Sequence, residues 1–283
     1  MENKVGPRSV TIMGAAGKMG TRILNNLIKN KNYDLSLCEN SAQGIDRIKE
    51  KGLMVISQEI AIPQSDFIIM AIPDTRVGSV SKEIVPMMKS NATLIMLDPA
   101  AAYAGELVLR DDCTFVVMHP CHPGLFDVRE TPEEREDFFG GIAAKQNIVI
   151  ALLQGEEDNF IKAEEICSYM FAPVINIYRI TVEQMAILEP IAVEVVGAAC
   201  ISILKEALEE AIKLGVPKEA ATAFMLGHIN IELGIVFRSS NPFSDACLKA
   251  IDYGYEKVFR ENWKEVFKEE AIKEVLIRML NTH

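Results

Sequence analysis

The sequence predicts a doubly wound α/β sheet followed by an all-helical C-terminal domain. Three observations carry this reading. The short apolar run Val10-Thr11-Ile12-Met13 ends in glycines at 14, 17 and 20 and leads into a helical pattern. From there to about residue 178, apolar β-prone runs alternate with helical ones, the pattern of a parallel sheet. From Thr181 onward strand signals vanish and long helical patterns take over. The expected organisation is therefore a Rossmann-type domain over residues 1–180 and a helical substrate or dimerisation domain over residues 181–283.

The first element is the most specific. Gly14-Ala15-Ala16-Gly17-Lys18-Met19-Gly20 stands between a strand and a helix whose apolar face is Ile23, Leu24, Leu27 and Ile28. A side chain at such a turn would keep a pyrophosphate away from the backbone N–H groups at the helix N-terminus, where the helix dipole favours an anion. The segment thus predicts a dinucleotide site.

The next run, Asp34 to Glu39, reads as a short strand ending in an acid. Its distance from the last glycine suits a carboxylate that accepts from the adenosine ribose hydroxyls. A carboxylate there repels a 2′-phosphate, which favours NAD over NADP. Met54-Val55-Ile56 reads as a weak third strand. Phe67 to Ile72 is a continuous apolar run stopped by Pro73-Asp74, and Leu94 to Leu97 repeats the design before Asp98-Pro99. Phe115 to Met118 ends in His119-Pro120. Asn147 to Leu153 and Val174 to Tyr178 complete the expected sheet.

In such sheets the ligand lies outside the carboxyl ends of the strands. Those ends carry Gly14, Glu39, Pro73, Asp74, Asp98 and His119, so the polar residues collect where a cofactor and a substrate belong. Between the strands at Phe115–Met118 and Asn147–Leu153, Thr131 to Asp137 is a dense charged stretch, with Glu130 just before it. It reads as a solvated loop or short helix, with a mobile lid as the sharper alternative.

The helical part opens at Thr181. Ile191 to Leu214 is one helix, closed by Gly215 and Pro217, and Lys218 to Phe237 is another. Ser244 or Asp245 caps a third, and Glu261 to Leu280 forms a fourth. Met185 to Leu204 is the most apolar stretch, yet it carries Glu189, Pro190 and Glu194, and it reads as a buried helix, not a membrane span. Gly197, Ala198, Ala199 and Gly227 allow close helix approach, which predicts a homodimer through this domain.

Bulk properties limit the partners. The 283 residues carry a net charge of −11, with 49% hydrophobic and 24% charged residues. Nucleic acid and anionic membranes both need a basic footprint and are not expected partners. The six cysteines are scattered without a C-x-x-C pair, and the N-terminus has no hydrophobic signal core. That points to free thiols in a reducing cytoplasm.

Chemistry concentrates in His119-Pro120-Cys121-His122-Pro123-Gly124, which holds two of the four histidines. A histidine at a strand's carboxyl end next to a cofactor can be a metal ligand, a general base or an oxyanion donor, and His119 and His122 are both candidates. Cys121 as a thiolate nucleophile is a weaker idea, because small buried cysteines are common. Glu189 lies among Ile187, Leu188, Ile191 and Ala192, where an acid must be paired, exposed or metal-bound. Glu183 and Glu194 are further acids of this region. His228 and Arg238 are candidates for a core histidine and a substrate-carboxylate partner.

Taken together, G-A-A-G-K-M-G, D-F-I-I-M-A-I-P-D, H-P-C-H-P-G-L-F and I-L-E-P before a long helix resemble the β-hydroxyacid dehydrogenase superfamily in its broad sense. The closer likeness is to phosphogluconate-dehydrogenase-like and semialdehyde-dehydrogenase-like NAD-binding proteins, the group to which the D-apionate oxidoisomerases belong. The resemblance implies NAD on Ala15, Ala16, Gly17, Lys18 and Met19 with Glu39 on the ribose. It also implies a divalent metal, zinc or similar, on His119 and Glu189, with the nicotinamide near Pro73 and Asp98. The implied reaction is oxidation of a small branched hydroxy acid coupled to a skeletal rearrangement. The G-x-x-x-K helix lysine of the simple β-hydroxyacid dehydrogenases is not evident here, which favours metal-assisted chemistry. Two alternatives stand beside it: a metal-independent NAD(P)-dependent dehydrogenase or decarboxylase, and a non-catalytic NAD(H)-binding redox sensor.

Overall fold

In the computed structural model, residues 6–280 are described. They form two compact units, one running to Ile187 and taking in the chain from Lys273 onward, the other Leu188–Ile272. The division falls inside a continuous helix.

The first unit is built on seven strands: β1 (Arg8–Met13), β2 (Tyr33–Cys38), β3 (Phe67–Met70), β4 (Thr93–Met96), β5 (Thr114–Pro120), β6 (Gln146–Gln154) and β7 (Val174–Arg179). Their order is β2-β1-β3-β4-β5-β6-β7. The helices between them are α1 (Lys18–Leu27), α2 (Ala42–Glu50), α3 (Gln58–Ala61), α4 (Asp74–Ile84), α5 (Ala100–Tyr103), α6 (Pro132–Glu136) and α7 (Glu157–Met170). β3 and β4 are buried at every position, as strands covered on both faces must be. Ile12, Ile23, Leu24, Leu27, Ile69, Ile95, Val116, Ile150, Ile166 and Phe171 belong to one apolar core.

Two expectations need correction. The sheet is not parallel throughout, because β6 runs antiparallel to β5 and only then does β7 return parallel to β6. The run 147–153 buries Ile148, Ile150 and Ala151 and leaves Asn147, Val149, Leu152 and Leu153 half-buried, a pattern that carries no sign of strand direction. The Met54–Ile56 strand is reduced to a single bridge between Val55 and Leu37. Most of the charged stretch is α6, capped by Thr131 and Glu134 in a reciprocal capping box, and the helix itself has no buried residue.

A long helix opens with α8 (Val182–Ala186), capped by Thr181 and Gln184, and continues as a π-helical segment over Ile187–Ala198. Pro190 explains the wide winding. Its ring clashes with the carbonyl four residues back and it has no N–H to donate, and a π turn relieves both.

The second unit is helical: α9 (Ala199–Lys213), α10 (Lys218–Arg238) and α11 (Asp245–Val258), with a 3₁₀ turn at Trp263–Phe267. α12 (Glu269–Leu280) follows, with Leu276 and Leu280 buried. The expected burial of Met185–Leu204 stops at Ile191, because α9 contains no buried residue and α10 only Ala221. Ile201, Phe224, Leu226, Val236 and Phe237 are all exposed in the single chain. The stretches Val182–Lys213 and Lys218–Arg238 are long and apolar enough to cross a membrane by length and composition alone.

Candidate functional site

The glycine turn forms as its spacing demands. Gly14 has φ +70°, and a Cβ there would stand 2.4 Å from the Ala71 carbonyl oxygen. A Cβ on Gly20 would stand 2.2 Å from the Gly14 carbonyl oxygen, so α1 can approach the strand only with glycine at that position. Gly17 is the N-cap of α1, and no side chain caps the helix. Ala15, Ala16, Lys18, Met19 and Gly20 lie in or directly after this turn. The helix N-terminus is therefore left for an anion.

A cavity of about 390 Å³ opens beside the turn. Gly14, Gly17, Glu39 and Pro73 line it, as the sequence suggested, and so do Ser41, Arg47 and Arg76, which sequence reasoning missed. Arg47 donates from Nη2 to the Ala16 carbonyl at 3.3 Å. Its signal was present as a basic residue one helix after the acid, but a charge on a short helix looks like any solvated face. Asp74 is the first residue of α4, whose N-cap is Pro73.

Glu39 sits at the end of β2. Its Oε1 accepts from the backbone N–H of Asn40 and Ser41 at 3.0 Å each and from Ser41 Oγ at 2.9 Å, and its Oε2 accepts from Ala16 N at 3.2 Å. Partial burial pushes the carboxyl up, but the hydrogen bonds from Ser41, Ala16 and Asn40 outweigh it and hold the group below its ordinary value.

A second group lies at the ends of β4 and β5. One ligand atom each from Asp98, His119 and Glu189 lie within 4.8 Å of one another, and all three residues are half-buried. Glu189 stands one turn beyond Met185 and Ala186 on the same helix, next to the buried Pro190 and Ile191. Asp98, expected beside the nicotinamide, also stands with His119 and Glu189, the pair expected to hold a metal. Two carboxylates and an imidazole are a donor set that suits a divalent cation. His119 Nδ1 lies 2.8 Å from the Leu97 carbonyl oxygen. A carbonyl can only accept, so Nδ1 carries a proton, and in the neutral imidazole Nε2 is the nitrogen with the lone pair.

His122 follows in the left-handed region, at φ +60°. Its Nδ1 donates to the Phe139 carbonyl at 2.9 Å, and its ring centroid is 6.0 Å from that of His119. The Phe139 ring in turn receives the Lys18 ammonium 3.2 Å from its centroid. The loop that carries Phe139 is pinned to α1, since Arg22 donates to the Gly140 carbonyl and Asn26 to that of Gly141. Asp137 closes it from inside, with Oδ2 accepting from the N–H groups of Ile142, Ala143 and Ala144. Desolvation raises the Cys121 thiol above its ordinary value, which argues against a thiolate nucleophile.

The remaining candidates lie elsewhere. Glu183 is in the first turn of α8, and its carboxyl is lowered by the Thr181 side chain. Glu194 is exposed on the π-helical segment. His228 is on α10, stacked on Phe224 with ring centroids 4.0 Å apart, and Arg238 ends that helix.

Comparison with known proteins now adds to the geometry. Residues 5–156 match the NADPH-binding domain of acetohydroxy acid isomeroreductase, and residues 127–280 match the C-terminal domain of phosphogluconate dehydrogenase (decarboxylating). The D-apionate oxidoisomerase of Pectobacterium atrosepticum is 44% identical over 274 residues, 96% of each chain. That of Blautia hydrogenotrophica is 45% identical over 276 residues, again 96% of each. A semialdehyde dehydrogenase NAD-binding protein from Cupriavidus necator, solved in complex with calcium and NAD, superposes with a TM-score of 0.93 at 42% identity, covering 96% of this chain and 99% of that one.

Proposed function

The chain belongs to the D-apionate oxidoisomerase family and is an NAD-dependent oxidoreductase, and we propose that it oxidises and rearranges a branched sugar acid such as D-apionate with the help of a divalent cation. The observation that carries this reading is the convergence of Asp98, His119 and Glu189 within 4.8 Å. Calcium in the Cupriavidus necator relative supports a cation in this family, and the donor set here also suits zinc.

The roles divide by position. The turn from Gly14 to Gly20 takes the pyrophosphate and Glu39 the adenosine ribose, with Pro73 and Asp74 near the nicotinamide end. Asp98, His119 and Glu189 hold the cation. When bound, the cation lowers the pKa of a substrate hydroxyl and polarises the carbonyl it becomes, while NAD accepts the hydride. His122 is oriented by its Nδ1 bond to the Phe139 carbonyl, and in its neutral form Nε2 is the nitrogen able to take the hydroxyl proton. His119 is fixed likewise by Leu97, which makes Nε2 the nitrogen proposed to ligate.

The apolar helices of the second unit need a cover. The first turns of the long helix bury Pro190 and Ile191 in the chain itself and carry Glu189 among the ligands, which a lipid-spanning role would contradict. A second copy of this chain is the cover proposed here, giving a soluble cytoplasmic homodimer.

The test is NADH formation with D-apionate and NAD, before and after chelation. Activity that EDTA removes and a divalent cation restores supports the reading. Full activity in EDTA returns it to a metal-independent dehydrogenase.

A further inference from the structure

We infer that Gly44 and Ser41 are positioning residues that set the preference for a dinucleotide with a free 2′-hydroxyl, an inference that rests on the NAD reading of the cavity. Glu39 is held asymmetrically. Its Oε1 is saturated by three donors, two of them from Ser41, whereas Oε2 takes a single longer bond from Ala16. One oxygen is the anchor, and the other retains lone pairs for ribose hydroxyls.

The anchor exists because residue 44 has no side chain. A Cβ on Gly44 would stand 2.5 Å from Glu39 Cδ, 2.6 Å from Glu39 Cγ and 2.6 Å from Ser41 Oγ. All three are side-chain atoms beyond a rotatable bond and none is backbone, so an added methyl displaces the carboxylate and leaves the backbone where it is. Gly44 is helical, and alanine there raises the intrinsic stability of α2. Ser41 does two jobs with one hydroxyl: it caps α2 by accepting from Gly44 N at 3.1 Å, and it donates to Glu39.

Discrimination follows from where the carboxylate is. A fixed anion beside the ribose repels a 2′-phosphate, and that repulsion falls as the anion moves away. Arg47 lines the same cavity and is left facing a phosphate once the carboxylate has gone.

The experiment titrates NADH and NADPH into the whole enzyme by nicotinamide fluorescence, so no substrate is required. The wild type is expected to prefer NADH. Gly44→Ala should cut that preference by roughly tenfold or more, and Ser41→Ala by roughly threefold, the scale of one displaced or loosened charge. Ser41→Thr keeps the hydroxyl and should restore the preference. If both affinities fall together in Gly44→Ala with the ratio unmoved, or the ratio holds in a variant that melts like the wild type, the positioning role is overturned. A wild type that prefers NADPH overturns the NAD reading itself and the inference with it.

Discussion

His119 Nδ1 stands 2.8 Å from the carbonyl oxygen of Leu97, the residue immediately before Asp98. The backbone that delivers one proposed ligand at the end of β4 therefore also fixes the ring of a second at the end of β5. Neighbouring parallel strands make this pairing possible, since their carboxyl ends finish side by side.

That arrangement predicts separable effects on chemistry and on cofactor binding. His119→Ala, Glu189→Gln and Asp98→Asn should each lower kcat/KM by at least about 10²-fold. NADH affinity should stay at the wild-type value, because the dinucleotide cavity does not draw on these three residues. Calorimetric titration with zinc or calcium should show the cation site weakened in all three. A variant with full activity removes its residue from the site.

Asp137 predicts a stability effect with a functional echo. It is 5% exposed and its Oδ2 accepts from three backbone N–H groups, so Asp137→Ala leaves three donors without their acceptor. The expected loss is about 3 kcal/mol, measured as a shift in urea unfolding. In the surviving folded fraction, the loop that places the Phe139 carbonyl against His122 should loosen, with kcat falling before NADH affinity does. An unchanged urea midpoint would remove the clamp.

These features differ in how far the sequence foretold them. The glycine turn, Glu39 and the His-Pro strand end were legible because each is a local pattern with a local cause. Asp98 was recognised as polar and well placed, yet its partners lie on another strand and another helix, and no spacing along the chain encodes that meeting. The direction of β6 was hidden because an apolar run of this kind reads alike either way. Gly44 was invisible for a different reason: a lone glycine on a short helix signals nothing until the carboxylate it makes room for is in view. The exposure of the Met185–Leu204 stretch beyond Ile191 in the single chain was not legible, because an apolar helix shows that it needs a cover, not which chain supplies it.

Glu39 predicts a pH profile. Its folded-state carboxyl is below the ordinary glutamate value of about 4.3. The ionised form is the acceptor, so NADH affinity should be flat from neutral pH down through the ordinary carboxylate range and fall only below it. The same sign applies to stability: a depressed carboxyl stabilises the fold above the unfolded-state value, and that contribution is lost as pH falls through the lower folded-state value. Glu39→Gln should weaken NADH at all pH values and abolish the dependence. A profile that already declines near pH 6 in the wild type would assign the titration to another group.

The last prediction concerns the exposed helices. Phe224 and Phe237 on α10 are each 69% exposed in the single chain and Leu226 is 60% exposed, a concentration of large apolar side chains that a soluble monomer rarely shows. If a second copy covers them, light scattering should give twice the chain mass of 31.4 kDa at micromolar concentration. Phe237→Asp should shift the enzyme toward monomer, because a carboxylate in an apolar interface must be desolvated without a partner. A lipid cover makes the opposite prediction, with wild-type protein recovered in the membrane fraction and extracted only by detergent. A stable wild-type monomer in the absence of detergent would overturn both and leave α10 an exposed helix whose apolar face has some other use.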